Sequence, residues 1–175
     1  MIALYRSTHA LRWVLAAAAA AALPAMAAIT MPYSKPGLWI ITQHLQNTAQ
    51  PFESKLCIDK ATQGDLLNAG NATTASLCSR NDMSGGGNRL VMDAVCQIGP
   101  SKLTSHTIVT YAGDSAFQSV TDGHFAPAFM GKTTTHGVID AKWSGTCPAG
   151  MKPGDMFGPH GIKLHIGPNG PMPVH

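Results

Sequence analysis

Charged residues are scarce in this chain of 175 residues: they make up 12% of it, and Glu53 is the only glutamate. Threonine, serine, glycine and asparagine are common instead, and this composition favours strands and turns over long surface helices. Two of the 12 basic residues, Arg6 and Arg12, lie near the N-terminus. The basic residues in the rest of the chain therefore nearly balance its nine acidic residues in charge. Since no basic run is present either, we expect no nucleic-acid partner and no attachment to a membrane surface.

The familiar catalytic motifs are missing as well. The chain has no Gly-x-Ser-x-Gly elbow, no glycine-rich phosphate loop and no His-Glu-x-x-His motif. A paired-carboxylate hydrolase would need two placed acids, one of them usually with a raised pKa. The candidate carboxylates instead lie in predicted turns or on outward strand faces: Asp93, Asp114, Asp122 and Asp140. We interpret them as solvated surface acids and expect no enzymatic activity.

Residues 1–27 have the pattern of a secretory signal peptide. Two arginines precede an alanine-rich apolar run at residues 13–23, and Ala25-Met26-Ala27 is a small-x-small cleavage site. The run is too short for a transmembrane helix, which takes about 20 residues. We therefore expect an exported, periplasmic protein with no transmembrane segment, whose mature part has the length of one domain.

All four cysteines lie in the mature part of the chain: Cys57, Cys78, Cys96 and Cys147. An even number of cysteines in an exported chain predicts two disulfides. Of the three possible pairings we favour the one that includes Cys78–Cys96, because these residues lie near the open ends of a predicted hairpin with a glycine-rich turn. That choice leaves Cys57 for Cys147. A zinc site is not indicated, since there is no Cys-x-x-Cys pair.

Residues 28–156 have the pattern of a mainly β domain. Alternating or β-branched segments predict strands at residues 38–45, 52–57, 75–82, 88–98, 103–111, 116–125 and 132–143. Asp59 is a suitable N-cap for one short helix, which we expect to end near residue 68, before Gly70-Asn71. The predicted fold is an antiparallel meander that forms a strongly curved sheet or partial, lipocalin-like barrel with two disulfides. Residues 157–175, rich in glycine, proline and histidine, are expected to be an extended or disordered tail.

The order of several motifs resembles the bacterial exported family known as domain of unknown function 3617. They are Lys35-Pro36-Gly37-Leu38-Trp39-Ile40-Ile41-Thr42, Leu56-Cys57-Ile58-Asp59, the two cysteines flanking the glycine turn, residues 111–117, and Trp143-Ser144-Gly145-Thr146-Cys147. The resemblance covers roughly residues 33–155. It implies a small disulfide-bonded, mostly β domain of the Gram-negative envelope, and it supplies no activity and no catalytic residues.

Four aromatic residues lie in four different predicted strands: Trp39, Tyr111, Phe117 and Trp143. On the concave side of a curved sheet, such side chains can line a pocket for a small apolar ligand. The alternative is that they form an ordinary β core. The leading hypothesis is a non-catalytic envelope binding module for a small apolar molecule or a protein partner.

A second hypothesis is a periplasmic copper-binding protein. Thioether and imidazole ligands recur near the C-terminus, a mixture that suits copper: Met151, Met156, His160, His165, Met172 and His175. Three further histidines lie in predicted strands, where they could converge on a metal or simply face solvent: His106, His124 and His136. No other cofactor is expected.

Overall fold

The computed structural model describes residues 32–46 and 48–174, so the predicted signal peptide and His175 lie outside the described residues. The described residues form ten strands and one α-helix, α1 (Lys60–Leu77). The strands are β1 (Gly37–Leu45), β2 (Phe52–Ile58), β3 (Cys78–Gly86), β4 (Arg89–Ile98), β5 (Ser101–Ala112), β6 (Ala116–Phe129), β7 (Lys132–Gly145), β8 (Asp155–Phe157), β9 (Lys163–Gly167) and β10 (Gly170–Pro173).

All ten strands belong to one antiparallel sheet, in the order β10-β9-β8-β2-β1-β7-β6-β5-β4-β3. Strands β3 to β7 form the predicted meander, and β1 pairs with both β7 and β2. The sheet curls without closing, and α1 contacts β9 and β10 near one edge and β3 and β4 near the other. The predicted mainly β fold with a curved antiparallel sheet is confirmed.

Alternation along the strands separates an inner face, toward α1, from an outer face. The core lies on the inner face, where Trp39, Leu56 and Ala141 pack with Ile58 and Ile166. Leu66 of α1 packs against this cluster. The outer face carries most of the charged side chains, because each strand alternates core residues with polar ones.

Helix α1 begins where the sequence predicts and ends later. The side chain of Asp59 accepts a hydrogen bond from the backbone N–H of Thr62 at 2.8 Å, as an N-cap does. The predicted end near residue 68 is wrong, since the helix continues through Gly70 to Leu77. It ends where Cys78 enters β3, and the Cys78 backbone N–H bonds to the carbonyl of Thr74. The start of strand pairing at Cys78 therefore determines where the helix ends, whereas Gly70 and Asn71 do not end it.

Both predicted disulfides are present, Cys57–Cys147 and Cys78–Cys96. The second joins the paired ends of β3 and β4, as the hairpin predicted. The first ties the end of β2 to the segment that follows β7. The chain then returns to the edge of β2, where the backbone N–H of Gly154 donates to the carbonyl of Cys57 at 2.9 Å, next to the pairing of β8 with β2.

The C-terminal segment differs from the expected separate tail. The expected boundary after residue 156 falls inside β8, and β9 and β10 extend the sheet beyond it. Strand β10 contains Pro171 and Pro173, which cannot donate to a sheet ladder. Both are accommodated because β10 is an edge strand. Strand β6 also continues past its predicted end at residue 125 and through Pro127 to Phe129, with a shift in register between His124 and Phe129.

Candidate ligand-binding cavities

The four aromatic candidates share the inner face of the sheet. Trp39 lies opposite Trp143, and Tyr111 lies opposite Phe117. The ring centroid of Phe117 is 6.2 Å from that of Trp39 and 6.0 Å from that of Tyr111. Trp39 is only 3% exposed and belongs to the core cluster. These residues therefore form a continuous aromatic layer in which Trp39 is packed as core.

The chain before β1 closes one end of this layer. The indole N–H of Trp39 donates to the carbonyl of Lys35 at 2.8 Å, and that of Trp143 donates to the carbonyl of Pro36 at 2.9 Å. The ammonium of Lys35 lies 3.8 Å from the centroid of the Trp143 ring. Both indole donors are thus satisfied by protein, which leaves neither of them for a ligand.

The lining of an open hollow of about 320 Å3 also includes Tyr111 and Phe117, but its polar members Gln118, Asp140 and Lys142 lie on the outer face of the sheet. Burial raises the pKa of the Tyr111 hydroxyl above its ordinary value. The hydroxyl is therefore a neutral group at physiological pH. Because charged side chains border this hollow, it suits an apolar ligand less well than a fully uncharged cavity would.

A second open depression lies between α1 and the β9–β10 hairpin, and we call it the helix–sheet cleft. One part, of about 440 Å3, is lined by Leu66, Ala69, Gly70, Thr73, Thr74, Ile166 and Pro171. A second part of the same size is lined by Asn68, Ala69, Ala72, Thr73, Pro168, Asn169, Gly170 and Pro171. The two parts share Ala69, Thr73 and Pro171, so they form one cleft along the helix.

Local sequence places the helix side of the cleft on one stripe. Leu66, Ala69, Gly70 and Thr73 follow the i, i+3, i+4, i+7 spacing of one helix face. Three of these four residues have short side chains or none, so the helix leaves space where a larger residue would fill it. Sequence reasoning missed this cleft, because it ended the helix before Gly70 and left β9 and β10 out of the domain. The spacing itself was the signal that could have revealed it.

A smaller pocket opens on the outer face, and we call it the β8–β9 pocket. It has a volume of about 200 Å3, and its lining includes Lys152, Asp155, Phe157, Lys163, His165 and Val174. Asp155 of β8 lies opposite His165 of β9, and its Oδ1 is 2.8 Å from Nδ1 of that histidine. The other carboxylate oxygen of Asp155 accepts the backbone N–H of Lys152 at 2.9 Å. Asp155 is therefore held on both sides.

These contacts determine the protonation state of Asp155. Partial burial by itself raises the pKa of this carboxyl. The hydrogen bonds from Lys152 and His165, and the positive charges of the same two residues, outweigh burial and hold the pKa below its ordinary value. The carboxyl is therefore ionised near neutral pH. An ionised carboxylate can only accept hydrogen bonds, so Nδ1 of His165 carries the proton that is donated to Asp155. The Nε2 atom of the ring does not take part in this bond.

The structure distributes the copper candidates over different parts of the molecule. Met156 lies opposite Leu56 on the inner face and packs against the core, whereas His165 lies on the outer face. His160 is exposed, in a short 3-10 turn. Within the described residues no group of three or more His, Cys, Asp and Glu side chains is placed to hold a metal ion. His165 and Met172 lie directly opposite each other on β9 and β10.

The strand histidines make pairwise contacts with acids on the outer face. Nδ1 of His106 lies 2.7 Å from Oδ1 of Asp93, and Nδ1 of His136 lies 2.7 Å from Oδ1 of Asp122. His106 and His136 are two strands apart, roughly 10 Å at the usual strand spacing, so they do not converge on one ion. The arrangement matches the solvent-facing alternative for these two residues, and His124 is likewise exposed.

The family model described as "Protein of unknown function (DUF3617)" matches residues 34–147. The chain belongs to this family. The DUF3617 match spans β1 to β7, helix α1 and both disulfides, and it ends at Cys147. Strands β8 to β10 follow the matched residues. They provide one wall of the helix–sheet cleft and one wall of the β8–β9 pocket. No curated protein and no solved structure matches the chain.

Among residues 32–46 and 48–174, no helix is long and apolar enough to cross a bilayer.

Proposed function

We propose that this DUF3617 protein is an exported, non-catalytic binding module that holds a small apolar molecule in the helix–sheet cleft. The observation that carries the proposal is the lining of the cleft. Its two parts, each of about 440 Å3, contain no charged residue. This volume lies within the range of roughly 300–1,000 Å3 that is typical of small-molecule sites.

The limited burial of α1 against the sheet supports the same proposal. Thr62 is the only buried residue of this helix of 18 residues. Leu66 contacts the core, but the next residues on the same face, Ala69 and Gly70, are too small to reach the sheet. An apolar ligand in the cleft would bury apolar surface of the helix and the sheet that these short side chains leave exposed. Such burial stabilises by about 25 cal/mol per Å2 of apolar surface.

The periplasmic location rests on two features of the chain. Residues 1–27 have the pattern of a signal peptide, and two disulfides join all four cysteines. Disulfides of this kind persist in oxidising compartments such as the bacterial periplasm. A protein partner is the other occupant that the cleft could receive, and the experiment below separates the two.

The test uses a neutral, environment-sensitive dye, Nile red, with the purified oxidised protein. We expect saturable fluorescence enhancement that Ala69→Phe lowers at least tenfold, because the phenyl ring fills the cleft. The control is Ala75→Phe, which adds the same ring at an exposed position of the same helix outside the cleft lining. Equal binding by both variants, or none by the wild type, contradicts a small-molecule site. Mass spectrometry of an organic extract of protein isolated from the periplasm then identifies the natural ligand.

Copper binding remains the alternative function, and the neighbouring pair His165 and Met172 favours it. The contact of Nδ1 with Asp155 leaves Nε2 of His165 as the available nitrogen, an arrangement common for metal-ligating histidines. Equilibrium dialysis against Cu(I) and Cu(II) should show about one equivalent bound by the wild type. His165→Ala should lose it, whereas His124→Ala, at an exposed strand position, should not. Equal weak binding by all three proteins contradicts the copper function.

A further inference from the structure

A row of alternating cationic and apolar side chains crosses the outer face of the sheet. Directly opposite residues on β7, β1, β2, β8 and β9 are, in order, Lys142, Ile40, Lys55, Phe157 and Lys163. The three lysines are exposed, and Ile40 and Phe157 are half-buried. Neighbouring strands are about 5 Å apart, so the Cα atoms of the three lysines repeat at roughly 10 Å.

The row ends at the β8–β9 pocket, where a fourth lysine joins it. Lys152 begins a turn closed by a hydrogen bond of 2.9 Å from the N–H of Asp155 to the Lys152 carbonyl. Gly154 in this turn has a φ of +97°, and an added Cβ would lie 2.7 Å from Cε1 of His165. The glycine therefore lets the turn lie against the His165 ring, and Lys152 and Lys163 line the same pocket.

Among the described lining residues, Asp155 carries the one carboxylate, and it does not neutralise these lysines by direct contact. Asp155 is already bonded to the Lys152 N–H and to His165. No carboxylate of the described residues lies within 4 Å of either ammonium group. Among the described lining residues, two ammonium groups and one ionised carboxyl give a net positive charge, even with His165 neutral.

The remaining lining is apolar. Phe157 has the Lys163 ammonium 5.5 Å from its ring centroid, and Val174 follows β10 with its N–H bonded to the carbonyl of Lys163. A volume of about 200 Å3 is smaller than the usual range for drug-sized ligands. We infer that the β8–β9 pocket binds a small organic anion, a carboxylate or phosphate with a short apolar group, between Lys152 and Lys163.

This site lies on the face opposite the core, whereas the helix–sheet cleft lies on the inner face. The inference therefore does not depend on the proposed function of the cleft. Attraction between the lysines and an anion should weaken as salt is added, since exposed charges are screened over about 10 Å at 0.1 M ionic strength.

The test is a titration of the oxidised protein with benzoate, phenyl phosphate, inorganic phosphate and neutral benzyl alcohol, followed by backbone NMR. We expect saturable shifts at the amides of Lys152 and His165 with the two aromatic anions and none with benzyl alcohol. Benzoate and phenyl phosphate distinguish a carboxylate from a phosphate ligand. Shifts of equal size with inorganic phosphate alone would overturn the organic part of the inference.

Two variants test whether the anion binds beside Lys163 in the pocket. Lys163→Gln should weaken benzoate binding by about two- to fivefold, the size expected for one exposed ion pair. Lys142→Gln, at the far end of the same row, is the matched control and should leave the affinity unchanged. An equal loss in both variants would mean diffuse attraction to the sheet face and would overturn the pocket. Retained Nile red binding by both variants shows that they are folded; should the dye not bind at all, the dispersion of the amide spectrum serves instead.

Discussion

Asp155 and His165 form a hydrogen-bonded pair across β8 and β9, with 2.8 Å between Oδ1 and Nδ1. Their side chains are 16% and 34% exposed. His165 lies in residues 157–175, which the sequence assigned to a separate tail, whereas Asp155 lies just before them, so the pair links that segment to β8. The stability of this end of the molecule should therefore depend on the ionisation of one carboxyl.

The first prediction concerns acid. The pKa of Asp155 is lowered from its ordinary value of 3.8, so the ionised group stabilises the folded state above that pH. This contribution is lost as the pH falls from there through the lower folded pKa. Asp155→Asn should lower stability near pH 6 and have a smaller effect near pH 2. Urea unfolding at both pH values measures this, with Asp114→Asn at an exposed turn as the control. A loss of the same size at both pH values would contradict the prediction.

The second prediction compares the disulfides. The bridge Cys57–Cys147 spans 90 residues, and Cys78–Cys96 spans 18. In the chain-entropy description, closing the longer loop stabilises by about 4.6 kcal/mol and the shorter by about 3.2 kcal/mol. Replacing both cysteines of the long bridge by serine should therefore be the more damaging change. Thermal unfolding of the two double variants measures the order, and a larger loss for the hairpin bridge would contradict it.

The third prediction concerns the turn at Gly154. A Cβ there would lie 2.6 Å from the carbonyl oxygen of Ile166 and 2.7 Å from Cε1 of His165. Gly161 also has a positive φ, of +78°, but a Cβ there meets nothing within 4 Å. Both alanine variants carry the cost of a left-handed residue, about 1–2 kcal/mol. Gly154→Ala should lose more than Gly161→Ala in denaturant unfolding, and equal losses would show that the close contact with His165 is unimportant.

The fourth prediction concerns the start of α1. Asp59→Ala removes the acceptor for the N–H of Thr62, a residue that is only 4% exposed. The expected loss of stability is about 0.5–2 kcal/mol, as for other N-cap substitutions. Asp59→Asn keeps an acceptor and should retain most of the stability. The helical signal in circular dichroism, followed through urea unfolding, measures both variants, and indistinguishable stabilities would contradict an N-cap role.

Much of the fold follows from short stretches of sequence. Alternation from Leu90 to Cys96 predicts a strand with one buried side, and the glycine run before it predicts the turn that pairs this strand with β3. The side chain of Asp59 caps a helix through a bond to a residue three positions away. The even number of cysteines predicts the two bridges. Each of these signals acts between near neighbours or through the covalent chemistry of one residue type.

Other features depend on residues that are distant in the sequence. The sequence by itself determined strands β1 to β7 in outline, the helix start, the cysteine pairing and the mainly β class. Only the tertiary structure decided that α1 continues to Cys78, that β8 to β10 join the sheet, and that Met156 and His165 lie on opposite faces. The helix–sheet cleft and the β8–β9 pocket belong to this second group. A cavity is the space that distant segments leave between them, and no local pattern of side chains specifies it.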